Sequence, residues 1–343
     1  MVVVFILGIG KMQEFFVSLA GCVVLILLLR VVANYFGLVD NPGGRKQHAQ
    51  PTPTVGGLAM SLAVLLALLW NGGLSGNVAV LMGCAVGLVI LGIFDDKIGL
   101  SVSLRMMIQV FLVLVVIIGA GGTITHLGAL FGSDIQLGIF AVPFSVIAFV
   151  GGINAMNMID GADGMAGKMA LITMLGVAAI FYVTGAFELL PLTWAMLGAL
   201  IGFLLFNTRL LVRRAWVFMG DAGSMWLGFV LGWFMAQVAG NVVAAEPAVV
   251  LWLFGVPLLD TLTVMIRRKR RKTSVFDADR THIHHVLVDT GLTINYSVLL
   301  LSGIQMIMVG IGVLFYFTHA PASLVFWSFV LVFAAYYYWL RDS

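Results

Sequence analysis

Charge is scarce in this sequence: Asp, Glu, Lys and Arg together supply only 10% of its 343 residues, against 62% hydrophobic residues. That leaves too little polar surface to cover a water-soluble globule, and a mean hydropathy of +1.11 places the chain in a bilayer instead. Cysteine is nearly absent as well. Cys22 and Cys84 both sit inside apolar runs, where packing rather than chemistry is expected of them. The first ten residues are apolar but lack a basic start and a small-residue cleavage site, so no removable signal peptide is expected. No soluble domain, linker, low-complexity tract or internal repeat stands out, and no nucleic-acid partner is expected.

Long apolar runs are what the chain does have. Eleven approach the ~20 residues that cross a bilayer: Phe15–Val32, Gly57–Trp70, Val78–Phe94, Met106–Ala120, Leu137–Ile153, Leu171–Val183, Thr193–Phe206, Met225–Ala239, Val249–Ile266, Val298–Phe317 and Leu324–Leu340. A backbone in lipid must satisfy its own hydrogen bonds, so these runs are read as helices. The expected fold is therefore all-α, a polytopic integral membrane helix bundle of about 11 transmembrane helices. With that count, every Lys and Arg except Lys11 falls on one face, which the positive-inside rule makes cytoplasmic. Most acids join them, the exceptions being Glu14, Asp134, Glu188 and Glu246. The expectation is one transmembrane catalytic domain, 1–343, with five cytoplasmic loops at about 34–56, 95–105, 154–168, 207–224 and 267–295.

Those loops carry the chemistry. The first reads Asp40-Asn41-Pro42-Gly43-Gly44-Arg45-Lys46-Gln47-His48 and then Pro51-Thr52-Pro53-Thr54-Val55-Gly56-Gly57. Glycine and proline set turns that let backbone approach a ligand, and Arg45, Lys46 and His48 can donate to phosphate oxygens or to lipid headgroups. Asp95-Asp96-Lys97 ends an apolar run, and two adjacent carboxylates at a membrane boundary call for a divalent cation or another cationic partner. A solvated helix end countered by Lys97 is the plainer alternative. The run Asn154-Ala155-Met156-Asn157-Met158-Ile159-Asp160-Gly161-Ala162-Asp163-Gly164 spaces Asn154, Asn157 and Asp160 about one helical turn apart. Its two Asp-Gly or Asx turns otherwise serve as helix caps. Phe218-Met219-Gly220-Asp221-Ala222-Gly223-Ser224 puts Asp221 beside a helix start, as site residue or as N-cap.

The last loop holds a basic run, Arg267 to Lys272, best read as a topology signal. After it comes Asp279-Arg280-Thr281-His282-Ile283-His284-His285, with three of the six histidines. Zinc is one reading of that cluster, but the neighbouring acids favour a hard-metal phosphate site. Asp260, inside an apolar run, is either functional or held by a structural hydrogen bond. A transporter relaying protons through Asp260 would gather its polar groups at the bilayer midplane, and CDP-alcohol phosphotransferases have no companion to the His282 motif. Here the polar groups gather at one rim.

Taken together, these motifs resemble those of the polyprenyl-phosphate N-acetylhexosamine-1-phosphate transferases, the MraY/WecA group, in order and along essentially the whole chain. His282-Ile283-His284-His285 after Asp279-Arg280 is similar to the WecA-type pattern, whereas the muramyl-pentapeptide branch typically has three contiguous histidines. The resemblance implies transfer of N-acetylglucosamine-1-phosphate from UDP-N-acetylglucosamine to undecaprenyl phosphate, releasing UMP, in the bacterial inner membrane with the site facing the cytoplasm. Another UDP-N-acetyl sugar or UDP-muramyl-pentapeptide is the alternative donor. It implies magnesium, or manganese in its place, and homodimers are common within the group. By resemblance Asp221 is the leading metal ligand with Asp95 or Asp96 in support, and Asp95 is alternatively a base or a covalent nucleophile. Asp95, Asp96, Asp160 and Asp163 are the catalytic candidates. By resemblance Asn157, Asp160, Asp163 and Phe218 are expected at the nucleotide and Lys46, His282, His284 and His285 at phosphate, with His48 and Asn154 as further substrate-binding candidates.

Overall fold

Apolar runs whose only available hydrogen-bond partners are their own backbone must coil, and they do. The computed structural model describes residues 12–41, 50–208, 214–241, 243, 245–272 and 282–341. The helices among them are α1 (Gln13–Phe36), α2 (Gly56–Trp70), α3 (Gly76–Ile98), α4 (Val102–Gly119), α5 (Ala141–Ile159), α6 (Met165–Thr184) and α7 (Leu190–Asn207). They continue with α8 (Gly220–Ala236), α9 (Val249–Leu253), α10 (Gly255–Arg270), α11 (Ile283–Asp289), α12 (Ile294–Phe317) and α13 (Ala322–Leu340). The described sheet is one antiparallel pair of short strands, β1 (Val39–Asp40) and β2 (Thr52–Pro53), with Asp40 opposite Thr52.

Helix α8 is the axis of the bundle. Its side chains are almost wholly buried, Trp226, Phe229, Trp233 and Phe234 among them, and α2, α3 and α5 pack around it. Small residues let backbones meet there: a Cβ on Gly57 of α2 would stand 2.2 Å from Gly223 Cα, and one on Gly92 of α3 would stand 2.3 Å from Ala222 Cα. Peripheral helices bury one stripe and present the other, as with Val31 and Leu28 of α1, Ile118 of α4 and Leu331 of α13, which are exposed. Apolar surface of that kind is stable against lipid, and the protein is a polytopic helical membrane protein.

Among the described residues nine helices are long and apolar enough to cross a membrane, against the eleven runs counted in the sequence. The two that differ are instructive. The run from Gly57 forms only a 15-residue helix, α2. The run Val249–Ile266 is not continuous but breaks at Phe254 into α9 and α10. Pro257 has no N–H to give to Leu253 O, four residues back, so that carbonyl is released from the ladder. Gln305 of α12 repairs the break, donating to Leu253 O at 2.9 Å and accepting from Val256 N at 2.8 Å, while Thr173 of α6 also donates to Leu253 O at 2.9 Å.

Candidate active site

One cleft of about 570 Å³ lies where α3 and α5 end and α8 begins, bordered on one side by β1 and Thr54 and on another by α11. Six aspartates line it: Asp40, Asp95, Asp96, Asp160, Asp163 and Asp221. Asn157, Asn207, Phe218, Thr54 and His285 complete the polar and aromatic wall.

Three of these acids are held by specific neighbours. Asp95 Oδ2 meets Arg105 Nη1 at 2.5 Å, and its Oδ1 accepts from Leu100 N at 2.9 Å, closing the turn from α3 into α4. Both oxygens of Asp96 accept from Asp221 N at 3.1 Å, so Asp96 caps the start of α8 from a different helix. Asp221 is therefore not the cap that its position suggested. Its Oδ1 accepts from Asn157 Nδ2 at 2.7 Å, and Asn157 also donates to Ser224 Oγ at 2.9 Å. Asp221 also lies within hydrogen-bonding reach of Asp95. Asp160 follows α5 directly, and burial, then the charges of Asp221, Asp96 and Asp163, push its carboxyl up to about 8.

Backbone bonds fix the loops that carry these groups. Phe218 N donates to Pro53 O at 2.7 Å, Gly56 N to Phe218 O at 3.0 Å and Gly57 N to Met219 O at 3.0 Å. The Pro-Thr-Val-Gly-Gly segment is thus laced to the residues just before Asp221. Asn207 of α7 accepts from Gly164 N at 2.7 Å and donates to Val217 O at 2.9 Å, joining the Asp160–Asp163 loop to the same strand of chain.

The histidines divide. His285 lines the cleft. His282 and His284 are buried behind it, their rings stacked at 6.0 Å and 18°, with His284 4.1 Å from His285. Burial first, then His285 and His282, lower the His284 imidazole to about 3, so near neutral pH it has no positive charge to offer a phosphate. Its ring lies against Gly161, where a Cβ would meet His284 Nε2 at 2.5 Å. Asn154 is the other residue set back from the cleft: its carboxamide donates to Gln109 Oε1 at 3.0 Å and to Val150 O at 2.8 Å. Lys46, His48, Arg45, Arg213, Asp279 and Arg280 lie outside the described residues.

The family described as glycosyl transferase family 4 matches residues 78–239, the stretch that holds Asp95, Asp96, Asn157, Asp160, Asp163 and Asp221. An undecaprenyl-phosphate alpha-N-acetylglucosaminyl 1-phosphate transferase of Yersinia pestis is 33% identical over 321 residues, covering 93% of this chain and 88% of that protein. The chain belongs to glycosyl transferase family 4. A protein of the same description from Escherichia coli (strain K12) is 32% identical over 317 residues, covering 92% of this chain and 86% of its own. One from Bacillus subtilis (strain 168), described as a probable undecaprenyl-phosphate N-acetylglucosaminyl 1-phosphate transferase, is 32% identical over 296 residues, 84% and 80% of the two chains. This glycosyl transferase family 4 member is an enzyme, a glycosyl-1-phosphate transferase.

Among the described residues no three His, Cys, Asp or Glu side chains stand as a preformed metal cage. The donors nevertheless fit a hard divalent cation. Asp95 and Asp221 approach within hydrogen-bonding reach, and six carboxylates in one cleft suit a hard, oxygen-preferring divalent cation rather than a soft metal. Sequence reasoning in this family 4 enzyme missed Arg105, Gln109 and Asn207. Arg105 and Asn207 lie at the cleft ends of their helices, and Gln109 lies one turn further into α4. Their partners are 10 or more positions away, so no local spacing announces them.

Proposed function

We propose that this enzyme transfers N-acetylglucosamine-1-phosphate from UDP-N-acetylglucosamine to undecaprenyl phosphate at the cytoplasmic face of the bacterial inner membrane. The products are undecaprenyl-diphosphate-N-acetylglucosamine and UMP, and the reaction opens the membrane stage of a cell-envelope glycan such as O antigen or enterobacterial common antigen. The observation that carries the reading is the cleft itself, with Asp95, Asp96, Asp160, Asp163, Asp221, Asn157, Phe218 and His285 on one wall system. The curated relatives, whose names specify this acceptor and sugar, match along more than four-fifths of the chain.

An oxygen of the lipid phosphate bonds to the β-phosphorus of the donor, the bond from that phosphorus to the bridging oxygen breaks, and UMP leaves with that oxygen. Bringing two anions together is the central obstacle. Asp221, with Asp95 or Asp96, would hold Mg²⁺, which would supply positive charge to offset that of the diphosphate. Asp95 is occupied by Arg105 and Leu100 N, which favours direct attack by the lipid phosphate over a covalent intermediate on Asp95. Asn157 orients Asp221 and, with Asp160, Asp163 and Phe218, borders the nucleotide. His285 donates to a phosphate oxygen, and the same role is proposed for Lys46 and His48.

The test is to incubate purified protein in bilayers with undecaprenyl phosphate, Mg²⁺ and radiolabelled UDP-sugars, then to identify the lipid product. Labelled N-acetylglucosamine on a diphosphate lipid, with UMP released in equal amount, is expected. Label from UDP-muramyl-pentapeptide or another UDP-N-acetyl sugar in its place overturns the donor assignment. Reporter fusions that put the His282 loop outside the cell overturn the cytoplasmic one.

A further inference from the structure

The most deeply buried acid among the described residues is Asp260 of α10, 1% exposed and outside the cleft. A carboxylate sunk in an apolar bundle is costly unless donors surround it. Three donors do. His282 Nδ1 lies 2.8 Å from Oδ2, Ile283 N donates to Oδ1 at 2.9 Å, and the hydroxyl of Tyr336 on α13 donates to Oδ1 at 3.3 Å. The short contact between Nδ1 and Oδ2 fixes the orientation of the His282 ring against the carboxyl group of Asp260.

What Asp260 holds reaches the site by direct contact. The Ile283 N–H belongs to the first turn of α11, so one carboxylate sets both the His282 ring and the height of that helix. His284 stacks on His282, His285 packs on His284, and the His284 ring presses on the backbone of Gly161, next to Asp160. Among the described residues neither buried ring nitrogen of His284 has a hydrogen-bond partner, and His282, His285 and Gly161 pack about the ring. A shift of His282 must therefore move the two rings beyond it.

We infer that Asp260 is a positioning residue for the transferase: from within the bundle it holds His282 and α11, and so sets where His285 stands in the cleft and how the imidazoles bear on the Asp160 loop. This rests on the reading of the cleft as the phosphate-transfer site. Carboxylates that orient metal-ligating histidines from behind typically matter by about 10–100-fold, and the same scale is expected of an orienting carboxylate here.

The experiment compares Asp260→Asn, Asp260→Glu, His282→Gln and the Asp260→Asn/His282→Gln double variant, each in the full chain. It reads thermal stability, kcat and KM for the UDP-sugar, and the pH profile. Expected are a folded Asp260→Asn with about 10–100-fold lower kcat/KM and a displaced pH profile, partial recovery in Asp260→Glu, and a double variant no worse than His282→Gln alone. An Asp260→Asn protein that loses only stability, with kcat/KM and pH profile unchanged, overturns the inference, as do losses that multiply in the double variant. If Asp260→Asn does not fold, Tyr336→Phe decides: it removes one donor and keeps the carboxylate, and an unchanged KM and pH profile there counts against the inference. Full activity in His282→Gln sinks the reading of the histidines themselves, whereas an inactive His282→Gln beside a normal Asp260→Asn sinks the positioning role alone.

Discussion

Gly57→Ala tests the link between helix packing and chemistry directly. A Cβ at Gly57 would stand 2.2 Å from both Cα and N of Gly223 and 2.8 Å from Met219 O. All three are backbone atoms, so no rotamer change relieves the contact. Restoring an ordinary separation of 3.4 Å requires α2 and α8 to part by about 1.2 Å, the difference between 3.4 and 2.2. Overpacking of this kind costs about 1–3 kcal/mol, and stretching the bond from Gly57 N to Met219 O adds about 1 kcal/mol. The displaced residues run straight into Gly220 and Asp221. A misplacement of about 1 Å at a reacting centre is worth about 100-fold in rate. The assay is lipid-product formation by purified protein at saturating donor, alongside the thermal midpoint in detergent. Gly83→Ala, where a Cβ has no neighbour within 4 Å, is the control and should match the wild type. Turnover of Gly57→Ala within about threefold of the wild type refutes the claim that this close crossing sets the position of Asp221.

Asp221→Asn should lower kcat/KM by several kcal/mol of transition-state stabilisation, about 100-fold or more, and near-normal turnover at saturating Mg²⁺ removes Asp221 from the metal. With the Asp160 carboxyl raised to about 8, the folded metal-free protein holds a proton that the unfolded chain releases near its ordinary value. The stability this contributes is complete below about pH 4 and lost as pH rises through about 8. A divalent cation competes with that proton, so its affinity should rise by up to about tenfold per unit between pH 6 and 8. Mg²⁺ titrations of turnover and of thermal midpoint across that window check it, with Asp160→Asn expected to flatten both; equal slopes in the two proteins contradict it. Gln305→Leu leaves Val256 N without its acceptor inside the bundle and should cost about 1–3 kcal/mol, seen as a lower thermal midpoint with turnover of the folded fraction retained. An unchanged midpoint would show that the break at Phe254 needs no bridge.

The candidate cleft was legible in outline because polar residues are conspicuous in so apolar a chain. Asp95-Asp96, the Asn157–Asp163 run, Phe218–Asp221 and His285 come from four separate stretches, and all reach one cavity. Asn154 illustrates the limit of spacing arguments. Steps of three residues turn a helix by about 300°, so Asn154 lies about 120° around α5 from Asp160 and meets Gln109 of α4 instead of the cleft. His284 illustrates another: its motif suggests a cationic phosphate ligand, but burial keeps it neutral. The broken run at Val249–Ile266 did carry a written signal in Pro257, outweighed in a hydropathy reading by the apolar residues around it.

By itself the sequence determined the medium and the material of this protein. Its hydrophobic excess demands a bilayer and therefore helices, and its few charges can collect only where helices end in water. Tertiary structure alone decided which of those charges meet: Arg105 with Asp95, Asp96 with the start of α8, Asn157 with Asp221, and Asp260 with His282. The physical reason is range. Hydropathy and helix periodicity are local properties of the chain, whereas the pairings that shape the cleft depend on where backbones such as those at Gly57, Gly92 and Gly223 come close enough to touch.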